Sequence, residues 1–257
     1  MSVDLYNPFK DITKTPKSII MLRNIVLLSY FWLTMIITLL FYPVYHLLNL
    51  FSNRIASRFL MHATRIWSNH LLFVGEIKID VKGRENIPES DEVCFVSNHQ
   101  SYLDIPVIDG IVPKQLGFIA KKELNRIPIL NLWMPVMGCV LIDRKNSSQS
   151  LSKASERIRK IAKGKPLFIF PEGTRSKSKR MGRFKTGSLG FLLQHNILVV
   201  PITINGTYKL LEEKNSIRKG KVDVYIHPPI STKEIGPENY KEFAKQLREI
   251  IEKPLKT

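Results

Sequence analysis

The chain has 257 residues, 44% of them hydrophobic, which is enough for one large domain or two small ones. Its formal net charge is +17, and it holds only two cysteines, Cys94 and Cys139, each in an apolar run. That composition excludes a disulfide framework and a thiolate metal site, and there is no internal repeat or low-complexity segment.

Residues 1–23 are polar and basic, with Lys10, Lys14, Lys17 and Arg23 against Asp4 and Asp11. Residues 25–48 then carry no Asp, Glu, Lys or Arg over 24 positions, more than the roughly 20 that a helix needs to cross a bilayer. The run is too long for a signal peptide and no small-residue cleavage site follows it. Pro43 is expected to kink or split the helix near its end. Arg54, Arg58 and Arg65 follow, so both flanks are basic, and a single span would leave one cationic flank on the outer side against the positive-inside tendency. Over residues 52–74, Ile55, Phe59, Ala63, Ile66, Trp67 and Leu71 recur at spacings of three and four, which reads as an amphipathic helix lying in the membrane interface. The pattern favours a hairpin that dips into one leaflet over a true span. Residues 1–74 are therefore expected to form a membrane-anchoring helical segment.

Residues 75–257 read as an α/β domain. Strands are expected at 76–82, 93–96, 116–120, 138–142, 167–170, 197–204 and 221–227. Helices are expected at 105–112, 130–137, 149–163, 186–195 and 237–254. Pro201 lies inside the run ILVVPITI, so that strand should sit at an edge or carry a bulge. The alternation predicts a mixed, largely parallel sheet flanked by helices. No GxGxxG or GxxxxGK[ST] nucleotide loop occurs.

Three clusters carry possible chemistry. The first is NHQSYLD, from Asn98 to Asp104, just after an apolar strand. Acyl transfer to an alcohol needs a base near neutrality, and a histidine whose far nitrogen is held by a carboxylate suits that task. His99 and Asp104 fit it. Asp104 equally suits a helix N-cap, and Ser101 with Asp104 resembles a capping box. The second cluster is FIFPEGTRS, in which Glu172, Gly173, Thr174 and Arg175 open from a strand end. Arginine binds phosphate through a planar fork, and a local Glu–Arg surface pair is the plainer alternative. The third is Lys121, Lys122 and Glu123 after the strand LGFIA, either a phosphate-neutralising site or the charged start of a surface helix. If the strands are parallel, all three clusters converge on one edge of the sheet.

Arg175, Lys177, Lys179, Arg180, Arg183 and Lys185 put six cations in eleven residues with no acid among them. Nucleic acid, an anionic membrane face or a phosphorylated substrate would attract such a run. The apolar anchor favours the last two. Only Phe184 offers a stacking surface between residues 176 and 185, so nucleic acid is not expected as a partner.

These motifs resemble the glycerolipid acyltransferases, specifically the 1-acylglycerol-3-phosphate O-acyltransferases. NHxSxxD is matched by Asn98, His99, Ser101 and Asp104, and EGTRS by residues Glu172, Gly173, Thr174, Arg175 and Ser176 after FIFP. GFIAKKELNRIP over 117–128, continuing to GCVLIDR at Arg144, is similar to the second motif, and VVPITI around Pro201 to the fourth. The resemblance implies that His99 and Asp104 are a catalytic dyad. It implies further that Glu172 and Arg175 are a ligand-binding pair and that Lys121 contacts the acceptor's phosphate; beside them Gly173 and Thr174 of the same turn and Lys185 of the basic run are expected to take part in substrate binding. It implies acyl transfer from acyl-CoA or acyl carrier protein to the sn-2 hydroxyl of 1-acylglycerol 3-phosphate, with no cofactor and no metal. Work at an anionic phospholipid membrane, on the cytoplasmic face of the inner membrane, is part of the same expectation. Glycerol 3-phosphate or a lysophospholipid are alternative acceptors, and a non-catalytic lipid-binding protein is a more remote alternative. Asn131 stands where the family often has glycine, and Arg183 where it usually has proline. Both departures bear on substrate preference rather than on the dyad.

Overall fold

The computed structural model describes residues 17–142, 164–185 and 187–256. The helix expected at 149–163, the Arg144 end of the second motif and most of the basic N-terminal stretch lie outside the described residues.

Three helices open the chain: α1 (Lys17–Thr38), α2 (Phe41–Phe51) and α3 (Asn53–Val74). The break between α1 and α2 falls at Leu39 and Leu40, placing Pro43 in the first turn of α2. A proline is tolerated there, because its missing N–H would have no intrahelical partner. Ser52 caps α3 by accepting from the Ile55 N–H. The outer surface of this segment is apolar: Ile25, Leu28, Leu33, Ile36, Leu40 and Leu47 are all more than half exposed or nearly so. Ser18–Phe51, 34 residues, is long and apolar enough to cross a membrane.

The α/β region follows as β1 (Ile77–Lys82), β2 (Val93–Ser97), α4 (Asp104–Ile111), β3 (Gly117–Lys121), α5 (Leu130–Val136), β4 (Val140–Ile142), β5 (Leu167–Ile169), α6 (Gly187–Gln194), β6 (Leu198–Asn205), α7 (Thr207–Leu210), β7 (Gly220–Ile226) and α8 (Tyr240–Glu252). The strands form one sheet in the order β1-β7-β6-β2-β5-β3-β4. Every pairing is parallel except β6 with β7. The expected mixed, largely parallel sheet is therefore present.

Alternation along the strands splits the core between two faces. Cys94, Val96, Leu167, Ile169 and Val199 pack under α6 and α8 with Leu192, Phe243 and Leu247. Phe95, Phe168, Val200 and Ile202 pack under α4 with Val107, Ile108 and Ile111, where Leu72 of α3 joins them. A third cluster of Tyr45, Ala56, Leu60 and Trp133 ties α2 and α3 to α5. Both cysteines are free.

The edge position considered for the Pro201 strand is not what forms. β6 lies in the interior of the sheet between β7 and β2, and residues 199–204 are fully buried. The proline is tolerated because the ladder on its β7 side slips by one residue, from Ile202↔Ile226 to the bridge Val199↔Ile230. Its carbonyl still accepts from His227 N at 2.9 Å, while its missing N–H falls at that slip, where residues 227–229 after β7 oppose 200–201, so the bulge is on the facing segment.

Asn98 fixes the end of β2 against the end of β6. Its Nδ2 donates to Ile204 O at 2.8 Å, and its Oδ1 accepts from Ile204 N at 2.8 Å, with the side chain fully buried. Asn98→Ala leaves a buried backbone donor and acceptor unpaired and is expected to cost about 2–4 kcal/mol. Thermal and denaturant unfolding of the variant beside the wild type would check this, and an unchanged midpoint would refute the structural role.

Candidate active site

The chain leaves β2 at Ser97, and the adjoining turn is built around one carboxylate. Asp104 is fully buried. Its Oδ2 accepts from Gln100 N at 2.7 Å and from Ser101 N at 2.9 Å. The same oxygen lies 2.7 Å from His99 Nδ1. Leu103 N donates to Ser101 Oγ at 3.0 Å. Asp104 is the first residue of α4, and the cap position, Leu103, makes no side-chain cap bond, so neither the N-cap nor the capping-box reading of Asp104 is what forms; its carboxylate serves the turn before the helix and the histidine instead. An oxygen that already accepts from two backbone N–H groups faces Nδ1 as an acceptor, which places the neutral imidazole's proton on Nδ1 and leaves the Nε2 lone pair available. Nε2 makes no hydrogen bond among the described residues, and the side chain keeps 17% of its surface accessible. The ring lies flat on Phe170, with centroids 4.0 Å apart and planes inclined by 19°. The imidazole is thus held at one edge and along one face.

The second cluster meets the first because β5 pairs directly with β2 in parallel. Gly173 takes φ +66° and donates its N–H to Phe170 O at 2.9 Å, closing a turn at the strand end that favours glycine. Glu172, 3% exposed, turns inward. Its Oε1 accepts from His99 N at 2.8 Å and its Oε2 from Gly182 N at 2.6 Å. Burial raises its carboxyl above the ordinary range, an effect that the two backbone donors oppose. Ser176 N donates to His99 O at 2.7 Å, so the histidine backbone is held from both sides.

Arg175 does not take Glu172 as its partner, contrary to the local Glu–Arg pair weighed from the sequence. Its Nη1 donates to Glu212 Oε1 at 2.9 Å, and its guanidinium carbon lies 3.4 Å from the centre of the Tyr102 ring. Glu212 also accepts from Tyr102 N at 3.0 Å. Stacking and pairing together hold the guanidinium plane beside the turn that carries His99.

The remaining expected residues are less closely bound to the dyad. Thr174 is exposed. Lys121 is the exposed last residue of β3, on the same sheet edge, with β5 between it and β2. Two strand spacings put that strand end about 10 Å from β2. Lys185 is exposed, and its backbone N donates to Pro171 O at 2.8 Å. Among the described residues, no group of three or more His, Cys, Asp and Glu side chains converges on a metal-sized site.

Sequence reasoning missed Phe170, Tyr102, Thr207 and Glu212 as parts of this site. Phe170 sits in the FIFP run and was accessible as an aromatic beside the second cluster. Thr207 and Glu212 follow β6, more than 100 residues from the dyad, with no pattern linking them to it.

A model of the acyltransferase family matches residues 78–205, from β1 to the end of β6. A chloroplastic 1-acyl-sn-glycerol-3-phosphate acyltransferase of Brassica napus is 38% identical over 156 residues, covering 60% of this chain and 45% of that protein. The 1-acyl-sn-glycerol-3-phosphate acyltransferase of Borreliella burgdorferi is 30% identical over 188 residues, covering 72% of this chain and 75% of that protein. The crystal structure of the 1-acyl-sn-glycerophosphate (LPA) acyltransferase PlsC from Thermotoga maritima superposes with a TM-score of 0.77 at 29% identity, over 92% of this chain and 96% of that one. The chain spans less than half the length of its plant and algal relatives, 44% to 46%. Matched across three quarters of the Borreliella burgdorferi protein and carrying the spaced motifs on a common fold, the chain belongs to the 1-acyl-sn-glycerol-3-phosphate acyltransferase family.

Proposed function

We propose that this protein transfers a fatty acyl group from a thioester, on coenzyme A or on acyl carrier protein, to the sn-2 hydroxyl of 1-acyl-sn-glycerol 3-phosphate, giving phosphatidate. The observation that carries this reading is the 2.7 Å contact between His99 Nδ1 and a fully buried Asp104, in a chain whose relatives bear the name of that reaction. His99 Nε2 removes the hydroxyl proton as the oxygen attacks the thioester carbonyl. Asp104 holds the tautomer and stabilises the imidazolium that forms. The tetrahedral intermediate collapses by breaking the C–S bond, and the departing thiolate takes the proton from the imidazolium. No acyl-enzyme is required, because the alcohol attacks directly.

Arg175 is the proposed phosphate ligand. Glu212 occupies one edge of the guanidinium, and Tyr102 covers one face, so the free donors point in fixed directions. Lys121 and Lys185 add positive charge at the same sheet edge. Gly173 and Thr174 supply the turn that presents Arg175. In this reading Glu172 acts through the backbone of His99 rather than on the acceptor's glycerol.

The membrane reading extends to the helices. Arg23, near the start of α1, donates to Gly75 O at 3.5 Å and to Glu76 Oε1 at 3.3 Å. Asn24 Oδ1 accepts from Ser216 Oγ at 3.2 Å and Ile217 N at 3.1 Å. Further along α1, Thr34 accepts from Trp67 Nε1 at 3.2 Å, and Thr38 accepts from Trp133 Nε1 at 3.0 Å. Helix α1 thus runs antiparallel to α3 and touches the α/β region at both ends. That supports a hairpin seated in one leaflet of the membrane over a span that leaves the protein body behind; the cytoplasmic side is proposed with it. A lipid with one acyl chain gains roughly 0.8 kcal/mol per methylene buried in the bilayer, so an enzyme that stays at the surface avoids drawing the whole chain into water.

His99→Ala should lower acyl transfer about 10³-fold or more, with the fold retained; undiminished turnover would refute the base. Arg175→Ala should raise the KM for 1-acylglycerol 3-phosphate at least tenfold while leaving the KM for the thioester nearly unchanged. Purified enzyme should also prefer that acceptor to glycerol 3-phosphate, and equal or faster use of glycerol 3-phosphate would favour the alternative acceptor. Membrane-impermeant labelling of single cysteines at Ser18 and Ser52 should report both on the cytoplasmic side, whereas opposite sides would indicate a true span.

A further inference from the structure

Asp104 has a fourth donor that neither the motif nor the proposed mechanism includes. While Oδ2 receives Nδ1 of His99 and two backbone N–H groups, Oδ1 receives Thr207 Oγ1 at 2.6 Å. Thr207 is fully buried and lies 103 residues further along the chain. The distance is that of a charge-assisted O–H···O⁻ bond. The other acceptor within reach, Gln100 Oε1, is neutral and 3.4 Å away, so the single hydroxyl proton is directed to the carboxylate.

The chain that delivers Thr207 is registered onto the dyad turn residue by residue. Asn98 grips both backbone groups of Ile204. Gly206 then turns with φ +110°, where a Cβ would sit 3.0 Å from Lys221 O. Its N–H donates to Gln100 Oε1 at 3.0 Å. Asn98 and Gln100 flank His99 on either side, and both are fully or almost fully buried. Two of the residues that surround the histidine are thus spent on placing the β6–α7 turn. The outcome of that placement is one hydroxyl on one carboxylate oxygen.

We infer that Thr207 is a positioning residue of the dyad, whose hydroxyl holds one Asp104 oxygen so that the other stays aimed at His99 Nδ1. The inference rests on the acyl-transfer reading for its kinetic consequences and on geometry alone for the bond itself. Without the hydroxyl, Oδ1 is buried with no partner. The carboxylate then either pulls harder on the imidazolium proton or takes up a proton itself at a higher pH. Both outcomes move the acidic limb of the kcat/KM profile upward. The other charged groups around the dyad are Glu172, on the His99 backbone, and the Arg175–Glu212 pair, on Tyr102. None of them bonds to Thr207, so all are retained when it is changed.

The test uses the full-length protein in detergent or vesicles. Thr207→Val removes the hydroxyl with little change in shape, and Thr207→Ser keeps it. In the valine variant kcat should fall roughly 10- to 100-fold, with the acceptor KM within about twofold and the acidic limb shifted to higher pH. The serine variant should recover most of the rate and the wild-type profile. A valine variant equal to wild type in rate and profile would overturn the inference, as would a serine variant as impaired as the valine one. Nitrogen-15 NMR of the histidines, assigned with His99→Ala, provides a readout that needs no turnover. The His99 Nδ1–H resonance should move or broaden in Thr207→Val and stay in place in Thr207→Ser. Should Thr207→Val fail to fold, Thr207→Ala serves the same arm. A wild type without acyl transfer would refute the proposed activity, while the resonance would still decide the role of Thr207.

Discussion

A carboxylate with no solvent contact is the constraint on which the site depends. Asp104 is buried at a depth where a carboxylate without hydrogen-bond donors would be costly, and donors surround it. Two of those donors are backbone N–H groups of its own turn, one is the imidazole, and one is a hydroxyl from the far side of β6. The carboxylate gathers the N–H groups of the turn, and the turn supplies the donors that satisfy the carboxylate. The side chain that starts α4 is therefore also the one that fixes the tautomer of His99.

The sheet supplies the rest by proximity. Because β2 and β5 are parallel neighbours, the residues that follow their ends emerge on the same edge. The imidazole meets Phe170, its backbone meets Glu172 and Ser176, and Arg175 lies over Tyr102. This is the crevice outside the carboxyl ends of the strands where open α/β sheets bind ligands. Two buried faces cover the sheet on either side, and the third apolar cluster connects α2 and α3 to α5.

Much of this was legible in the chain itself. The strands announced themselves as short apolar runs, and the long uncharged stretch and the three-and-four spacing of residues 52–74 marked the helices. The five-residue separation of His99 and Asp104 is local, so spacing alone put the two groups within reach of each other. What was not legible depends on pairing between distant segments. The interior position of β6 is one case: a proline argues for an edge, and only the one-residue slip against β7 explains how the sheet accommodates it. Glu172 and Arg175 are another. Three positions apart, they look like partners, yet the turn at Gly173 sends one carboxylate inward to backbone N–H groups and leaves the guanidinium to Glu212. Thr207 and Glu212 carry no pattern of their own, because their roles come from where β6 ends rather than from their neighbours in sequence.

The double grip of Glu172 has a consequence for altering this enzyme. One oxygen holds the amide of the histidine and the other holds Gly182, where a Cβ would approach that oxygen to 2.8 Å. The segment between Ser176 and Gly182, which carries Lys177, Lys179 and Arg180, is thereby fastened at both ends to the His99 backbone, directly at Ser176 and through Glu172 at Gly182. Exchanging that segment for one from a relative would also reposition His99 unless the glycine and its spacing came with it.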